Sequence, residues 1–233
     1  MRLQPKVYKG GERVDVKDAI NGRKAIRGFL DKPVPREILQ EVLQLAARAV
    51  SAVNAQPWEI AVITGETLKF IRNDNMDSVN SGGPEDNPFP GVSGIYRQRS
   101  IQVAKQLFSA MDIARDDKEK RTWWGSRGYR FFDAPVGIVL YMDKELDSEC
   151  FRFDMGCIAQ NICIAAMEFD LGTCVAYQPI EYERGLRKYL KIPDNKKLIC
   201  GIAIGYPDWE FSANQVISMR ESVDDIVKWY GYH

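Results

Sequence analysis

Asp147-Ser-Glu-Cys-Phe-Arg-Phe-Asp-Met-Gly-Cys-Ile-Ala-Gln-Asn-Ile-Cys-Ile-Ala-Ala-Met-Glu-Phe169 reads as one long helix that is apolar almost all the way round. Ile158, Ala159, Ile162, Cys163, Ala165 and Ala166 leave no broad polar face, so this helix belongs in the middle of a domain. Asp170-Leu171-Gly172 stops it, with glycine just past the end. Outward from it lie three apolar runs of strand length: Ala134 to Met142, Lys197 to Gly205, and Trp58 to Thr64, the last closed by Gly65. Pro35 opens a helix at a position where its missing N–H costs nothing, and Ile38, Leu39, Val42, Leu43, Ala46 and Ala49 form its apolar face. Further helices are predicted from Glu66 to Ile71, Ile95 to Ile113 and Glu181 to Leu190. The tail from Glu221 to Tyr230 is predicted as an amphipathic helix that must dock on something. Helices outnumber strands and do not alternate strictly with them, so the class is α+β. Asn73 to Gly94 is the one long irregular segment, the kind of loop that is usually functional or mobile. The charge run from Ala114 to Arg121 reads as a solvated helix surface.

Composition removes whole classes of function. The chain has 233 residues, 45% of them hydrophobic and 27% charged, which suits one globular domain. Its 32 Lys and Arg cancel 32 Asp and Glu, so no basic footprint for nucleic acid exists, and no apolar run reaches membrane length. The one histidine is His233, which argues against a Ser-His-Asp triad, a His-paired cysteine and a His-built metal site. Cys150, Cys157, Cys163, Cys174 and Cys200 contain no Cys-x-x-Cys pair and sit in apolar stretches, as buried thiols of a reducing compartment do. Met1-Arg-Leu-Gln-Pro carries no apolar signal region, so a cytoplasmic location is expected. Difficult chemistry would then fall to an organic cofactor.

Three constellations stand out. Arg23, Lys24 and Arg27 gather near Gly22, either as a solvated loop or as an anion site whose guanidinium forks match phosphate oxygens. Ser51-Ala-Val-Asn-Ala-Gln-Pro-Trp58 follows the first long helix; its polar groups could cap backbone or read the edge of a planar ring. Leu171 to Pro179 follows the buried helix. Neither G-x-G-x-x-G nor a P-loop occurs, which demotes dinucleotide-fold and P-loop enzymes.

Order and spacing add more than any one of these. Arg23-x-x-x-Arg27, Arg36-Glu-x-Leu39 leading to Ala46-Ala47, Ser51-x-x-Asn54-x-Gln56-Pro57-Trp58, Phe132-Asp-Ala-Pro135, Asp154-x-Gly156-x-x-x-Gln160-Asn161, Leu171-Gly-Thr173, Ile204-Gly-Tyr-Pro207 and Arg220 before Asp224-Asp-Ile-Val227 form a series. It resembles the FMN-dependent nitroreductase family from about Val16 to Trp229, and Tyr96-Arg-Gln-Arg99 and Ala114-Arg-Asp-Asp-Lys118 look most like its nitroaromatic-reductase members.

The resemblance implies an α+β nitroreductase-like fold, with a mixed central sheet flanked by helices, working as an intertwined homodimer. It implies a single domain over 1–233 with an irregular insertion or lid at about 73–125. FMN is the implied cofactor and NAD(P)H the co-substrate. Arg23 and Lys24 match positions that hold the FMN phosphate and ribityl chain, and Arg220 matches a phosphate contact. Ala25 lies between them, and Arg27 matches a position at the N1 and C2 carbonyl edge, where a cation would stabilise reduced flavin. Val50, Ser51, Ala52 and Asn54 match the segment supplied by the other subunit; Val175, Ala176, Tyr177 and Gln178 match the segment beside the ring. Ala25, Val50, Val175, Ala176 and Gly128 depart from the residues common there.

The implied activity is NAD(P)H-dependent, ping-pong reduction of nitroaromatics, quinones or related electrophilic aromatics. No side chain is assigned as catalytic, because the flavin carries the chemistry; Tyr96, Arg97, Trp124 and Tyr177 are candidates to line the substrate site. Phe89 and Trp123 are further stacking candidates, and Arg99 a further candidate to attract a carboxylate or nitro group. Alternatives are a reductive dehalogenase or flavin-consuming enzyme of the same fold, or a low-turnover flavin-binding sensor.

Overall fold

The computed structural model describes residues 15–232, and His233 and the N-terminal Met1-Arg-Leu-Gln-Pro lie outside the described residues. In chain order the elements are α1 (Val16–Gly22), α2 (Arg36–Ala46), β1 (Glu59–Thr64), α3 (Gly65–Ser81), α4 (Gly94–Ala110), α5 (Lys118–Ser126), β2 (Val136–Asp143), α6 (Glu149–Ala165), β3 (Gly172–Ala176), α7 (Glu183–Leu190), β4 (Lys196–Gly205) and α8 (Val223–Ile226). Helices with one central sheet make the fold α+β, as expected.

The sheet has four strands in the order β1-β2-β4-β3. Every pairing between these strands is antiparallel, so the expected mixture of directions reduces to one isolated parallel bridge, Ala25 to Thr173. β2 is buried on both faces because its side chains alternate between two cores. Ile138, Leu140 and Met142 meet Leu39 and Val42 of α2 and Met155, Ile158 and Ile162 of α6. Val139 points into the opposite core with Ile63, Ile71 and Phe131. In β4, Ile202 and Ile204 join the first core while Leu198 joins the second. That change of face comes from an irregularity in the register: Leu140 opposes Cys200 and Tyr141 opposes Leu198, leaving Ile199 as the extra residue of a bulge.

Three expectations change. α3 runs on to Ser81, so the irregular stretch shrinks to 82–93. Asn75 explains the extension: it is fully buried and donates to the carbonyls of Tyr129 (3.0 Å) and Pro179 (3.2 Å), a tertiary anchor that outweighs the poor helix propensity of Asn73-Asp-Asn. The tail forms only the single turn of α8, too short to be stable by itself, and Trp229 and Tyr230 stay exposed among the described residues. Of the cysteines, Cys163 and Cys174 are buried, whereas Cys150 is exposed on the first turn of α6.

Candidate functional site

The cationic segment 23–28 is held along the free edge of β3. Ile26 donates its N–H to the Thr173 carbonyl at 2.9 Å. Buried Asn214 then uses both ends of its amide: Oδ1 accepts from the N–H of Arg27 (2.7 Å) and Gly28 (3.2 Å), and Nδ2 donates to the carbonyls of Gly28 and Asp208 (both 2.7 Å). These four bonds exhaust an asparagine. Gly28 cannot carry a side chain, since a Cβ there would lie 2.2 Å from the Phe211 ring.

Arg127 grips the same segment from the side of α5. It is buried, donates from Nη2 to the carbonyls of Arg27 (2.8 Å) and Phe132 (3.1 Å), and pairs through Nη1 with Asp133 at 3.0 Å. Its guanidinium carbon lies 5.1 Å from the Trp123 ring centre and 4.9 Å from that of Phe211, and Trp124 stacks on Phe211 at 6.4 Å. Aromatic faces suit a guanidinium, which is weakly hydrated and planar.

So fixed, the segment forms one wall of a cleft of about 780 Å³, within the range of small-molecule sites. Lys24, Ala25 and Arg27 line that wall, the tail from Val216 to Glu221 lines a second, and α4 supplies Arg99, Ser100, Gln102, Val103 and Gln106. Lys24 lies 5.2 Å from the Trp209 ring centre, and burial pushes its ammonium below the ordinary lysine range. Arg220 is curled on its own loop, donating from Nη1 to Ser218 Oγ at 2.8 Å. Four cations against one carboxylate make this an anion site. Gln106 Oε1 is buried with no donor among the described residues, so the cleft also asks for a hydroxyl or N–H from a ligand. A polar chain ending in phosphate satisfies both demands, and FMN fits this donor set.

The expected site residues divide. Lys24, Ala25, Arg27 and Arg220 come together as expected. Arg23 does not line the cleft; it follows α1 as its C-cap. Val50, Ser51, Ala52 and Asn54 also stand apart from it within this chain. They form a turn whose Ala52 N–H is capped by the buried Asp154 of α6 at 3.0 Å, with Val53 at φ 48° and 95% exposed. A β-branched residue in that backbone conformation is an outlier, of the kind that marks functional segments.

Val175, Ala176, Tyr177 and Gln178 leave the end of β3 outside the lining of this cleft. Gln178 donates to the Gly125 carbonyl at 2.9 Å, and its Oε1 fills the space over Gly128, where a Cβ would lie 1.7 Å away. Tyr177 meets Phe89 edge-on at 6.1 Å. Tyr96 and Arg97 are exposed on α4, and Trp124 is half-buried on α5; all three lie outside the lining. Tyr129 donates to Glu181 at 2.6 Å, and burial raises the pKa of both. Burial holds Cys174 up at about 11 and Cys200 at about 12, so both are thiols rather than nucleophilic thiolates.

Sequence reading missed Gln102 and Gln106 and the tail residues before Arg220. One signal was present: Arg99, Gln102 and Gln106 recur at three- and four-residue spacing, a polar stripe along one helix face.

The family described as the Nitroreductase family matches residues 20–206 of this chain. The nitrobenzene nitroreductase of Ectopseudomonas oleovorans is 35% identical over 215 residues, covering 90% of this chain and 94% of that protein. The chloronitrobenzene nitroreductase of Comamonas testosteroni is 32% identical with the same coverage. Among solved structures, the FMN and NADPH-dependent nitroreductase NfnB from Sphigopyxis sp. strain HMH superposes with a TM-score of 0.89 at 29% identity, covering 94% of this chain and 100% of that one.

Proposed function

The chain belongs to the nitroreductase family, and from that premise we propose that it is an FMN-dependent NAD(P)H oxidoreductase that reduces nitroaromatic compounds. The observation that carries this reading is the cleft that Lys24, Arg27 and Arg220 line together with Gln106, whose Oε1 has no donor among the described residues. Lys24 and Arg220 hold the phosphate end of the cofactor. Arg27 lies at the pyrimidine edge, where its charge favours the reduced, more negative form. Val175, Ala176, Tyr177 and Gln178 flank the ring, with backbone groups doing the bonding because valine and alanine offer none.

Bound flavin supplies two-electron redox chemistry between a reduced nicotinamide and an electrophilic aromatic. The protein binds the pair in turn at one open face, a ping-pong order, and admits quinones beside nitro compounds. Tyr96, Arg97, Trp124 and Tyr177 line the substrate side, and Phe89 on Tyr177 forms part of its cover. No side chain is assigned to acid catalysis; solvent supplies protons. Val50 to Asn54 completes the site of a second copy of this chain in a homodimer, which accounts for a strained, exposed Val53. The insertion at about 73–125 is the cover of the site, its base formed by the last turns of α3.

No described helix is long and apolar enough to cross a membrane. The test is anaerobic mixing of the yellow protein with NADH and with NADPH. Loss of the oxidised-flavin band at about 450 nm, restored by nitrobenzene or a quinone, is the expected result. A band that neither nicotinamide bleaches overturns the enzyme reading in favour of a flavin-binding sensor, and return of the band with a halophenol in place of nitro compounds favours dehalogenation.

A further inference from the structure

The third wall of the cleft is α4. α4 presents Arg99, Gln102 and Gln106 on one face, and all three line the same cleft as Lys24, Arg27 and Arg220. The helix is docked on the tail at two points: Arg99 Nε donates to Glu221 Oε1 at 2.8 Å, and Gln102 Nε2 lies 3.6 Å from Met219 Sδ. These contacts bring an insertion helix against the residues already read as phosphate-binding.

We propose that α4 is itself a cofactor-binding element: Arg99 holds the phosphate of FMN, Gln106 accepts a hydroxyl of its ribityl chain, and Glu221 competes with the phosphate for Arg99. The proposal rests on the reading of the cleft as an FMN site. Two observations carry it. The Arg99–Glu221 side chains are 45% and 42% exposed, so the pair is screened by water and yields to a dianion that can take a guanidinium by two oxygens at once. Gln106 Oε1 is buried without a donor among the described residues, and a ribityl hydroxyl is a donor of the right kind. Lys105, one residue from Gln106, is exposed and outside the lining.

The two roles separate with two ligands, because riboflavin has the ribityl chain but no phosphate. Protein stripped of flavin is titrated with FMN and with riboflavin, by quenching of flavin fluorescence, for wild type, R99Q, E221Q, Q106L and the charge-matched control K105Q. Circular dichroism of each variant confirms that it is folded. Loss of one charge-assisted contact predicts an FMN dissociation constant raised about tenfold or more in R99Q, with riboflavin changed less than about twofold. E221Q tightens FMN and leaves riboflavin alone. Q106L weakens both ligands by a similar factor, and K105Q changes neither. Wild type that takes up FMN while R99Q binds it equally well overturns this proposal and leaves the FMN site standing. An R99Q effect equal for both ligands also overturns it. Wild type that takes up neither ligand refutes the FMN reading itself.

Discussion

Asn214 and Arg127 show how few residues hold the cationic wall in place. Asn214→Ala strands the N–H groups of Arg27 and Gly28, at a cost of about 1–3 kcal/mol each, while the carbonyls of Gly28 and Asp208 keep the N–H of Asp208 (3.1 Å) and Phe211 (3.2 Å). The expected outcome is a melting temperature lower by roughly 5–10 °C together with weaker FMN uptake; a melt within about 2 °C of wild type would contradict the role. Lys24 makes a pH prediction. Burial lowers the pKa of its ammonium, so raising the pH neutralises it earlier than an ordinary lysine. FMN affinity therefore falls as pH rises through that lowered value, and Lys24→Arg, which keeps its charge, removes the fall. Titrations of wild type and variant between neutral and alkaline pH check this. At this scale the cations were legible because charge clusters are visible locally. Asn214 was not: one asparagine in Ser212-Ala-Asn-Gln215 carries no pattern, and its meaning comes from the backbone of Gly28, 186 residues away.

Elements were legible where burial follows a simple period. α2, α6, β2 and β4 lie close to their expected bounds because their apolar residues face a core that the chain builds for itself. The misreadings share one cause, a partner that local sequence does not contain. The second half of α3 needs the carbonyls of Tyr129 and Pro179, and the end of the tail, at Ile226, Trp229 and Tyr230, stays exposed among the described residues. Loop 82–93 illustrates the same point. It is pinned at Asn87, which donates to the Ile180 carbonyl (3.0 Å) and Glu183 (2.6 Å) and accepts from Lys197 (3.2 Å). Asn87→Ala should release the loop without unfolding the sheet. Faster hydrogen exchange over 82–93, with the β2 and β4 amides unchanged, is the expected readout; unchanged exchange in the loop would show that Asn87 does not hold it.

At the scale of the whole molecule, several large apolar side chains stand uncovered among the described residues. Val53, Phe153, Ile226, Trp229 and Tyr230 are each more than half exposed, at 95%, 69%, 68%, 64% and 81%. A homodimer that buries them explains why Val53 tolerates a left-handed backbone and why a tail rich in aromatic residues stays extended. Sedimentation should then give twice the 26.5 kDa chain mass, and Val53→Asp should shift the protein towards monomer while weakening FMN binding. A wild-type monomer that binds FMN at full strength would contradict the shared site.

The functional reading depends on the cleft formed by segment 24–27 and the tail holding one flavin mononucleotide per chain. The direct measurement is a fluorescence titration of flavin-stripped protein with FMN, wild type against the Lys24→Gln, Arg220→Gln double variant. Saturation at one FMN per chain, with affinity in the double variant lower by about a hundredfold, is the result the account predicts. Absence of uptake by wild type, or equal uptake by both proteins, would contradict it.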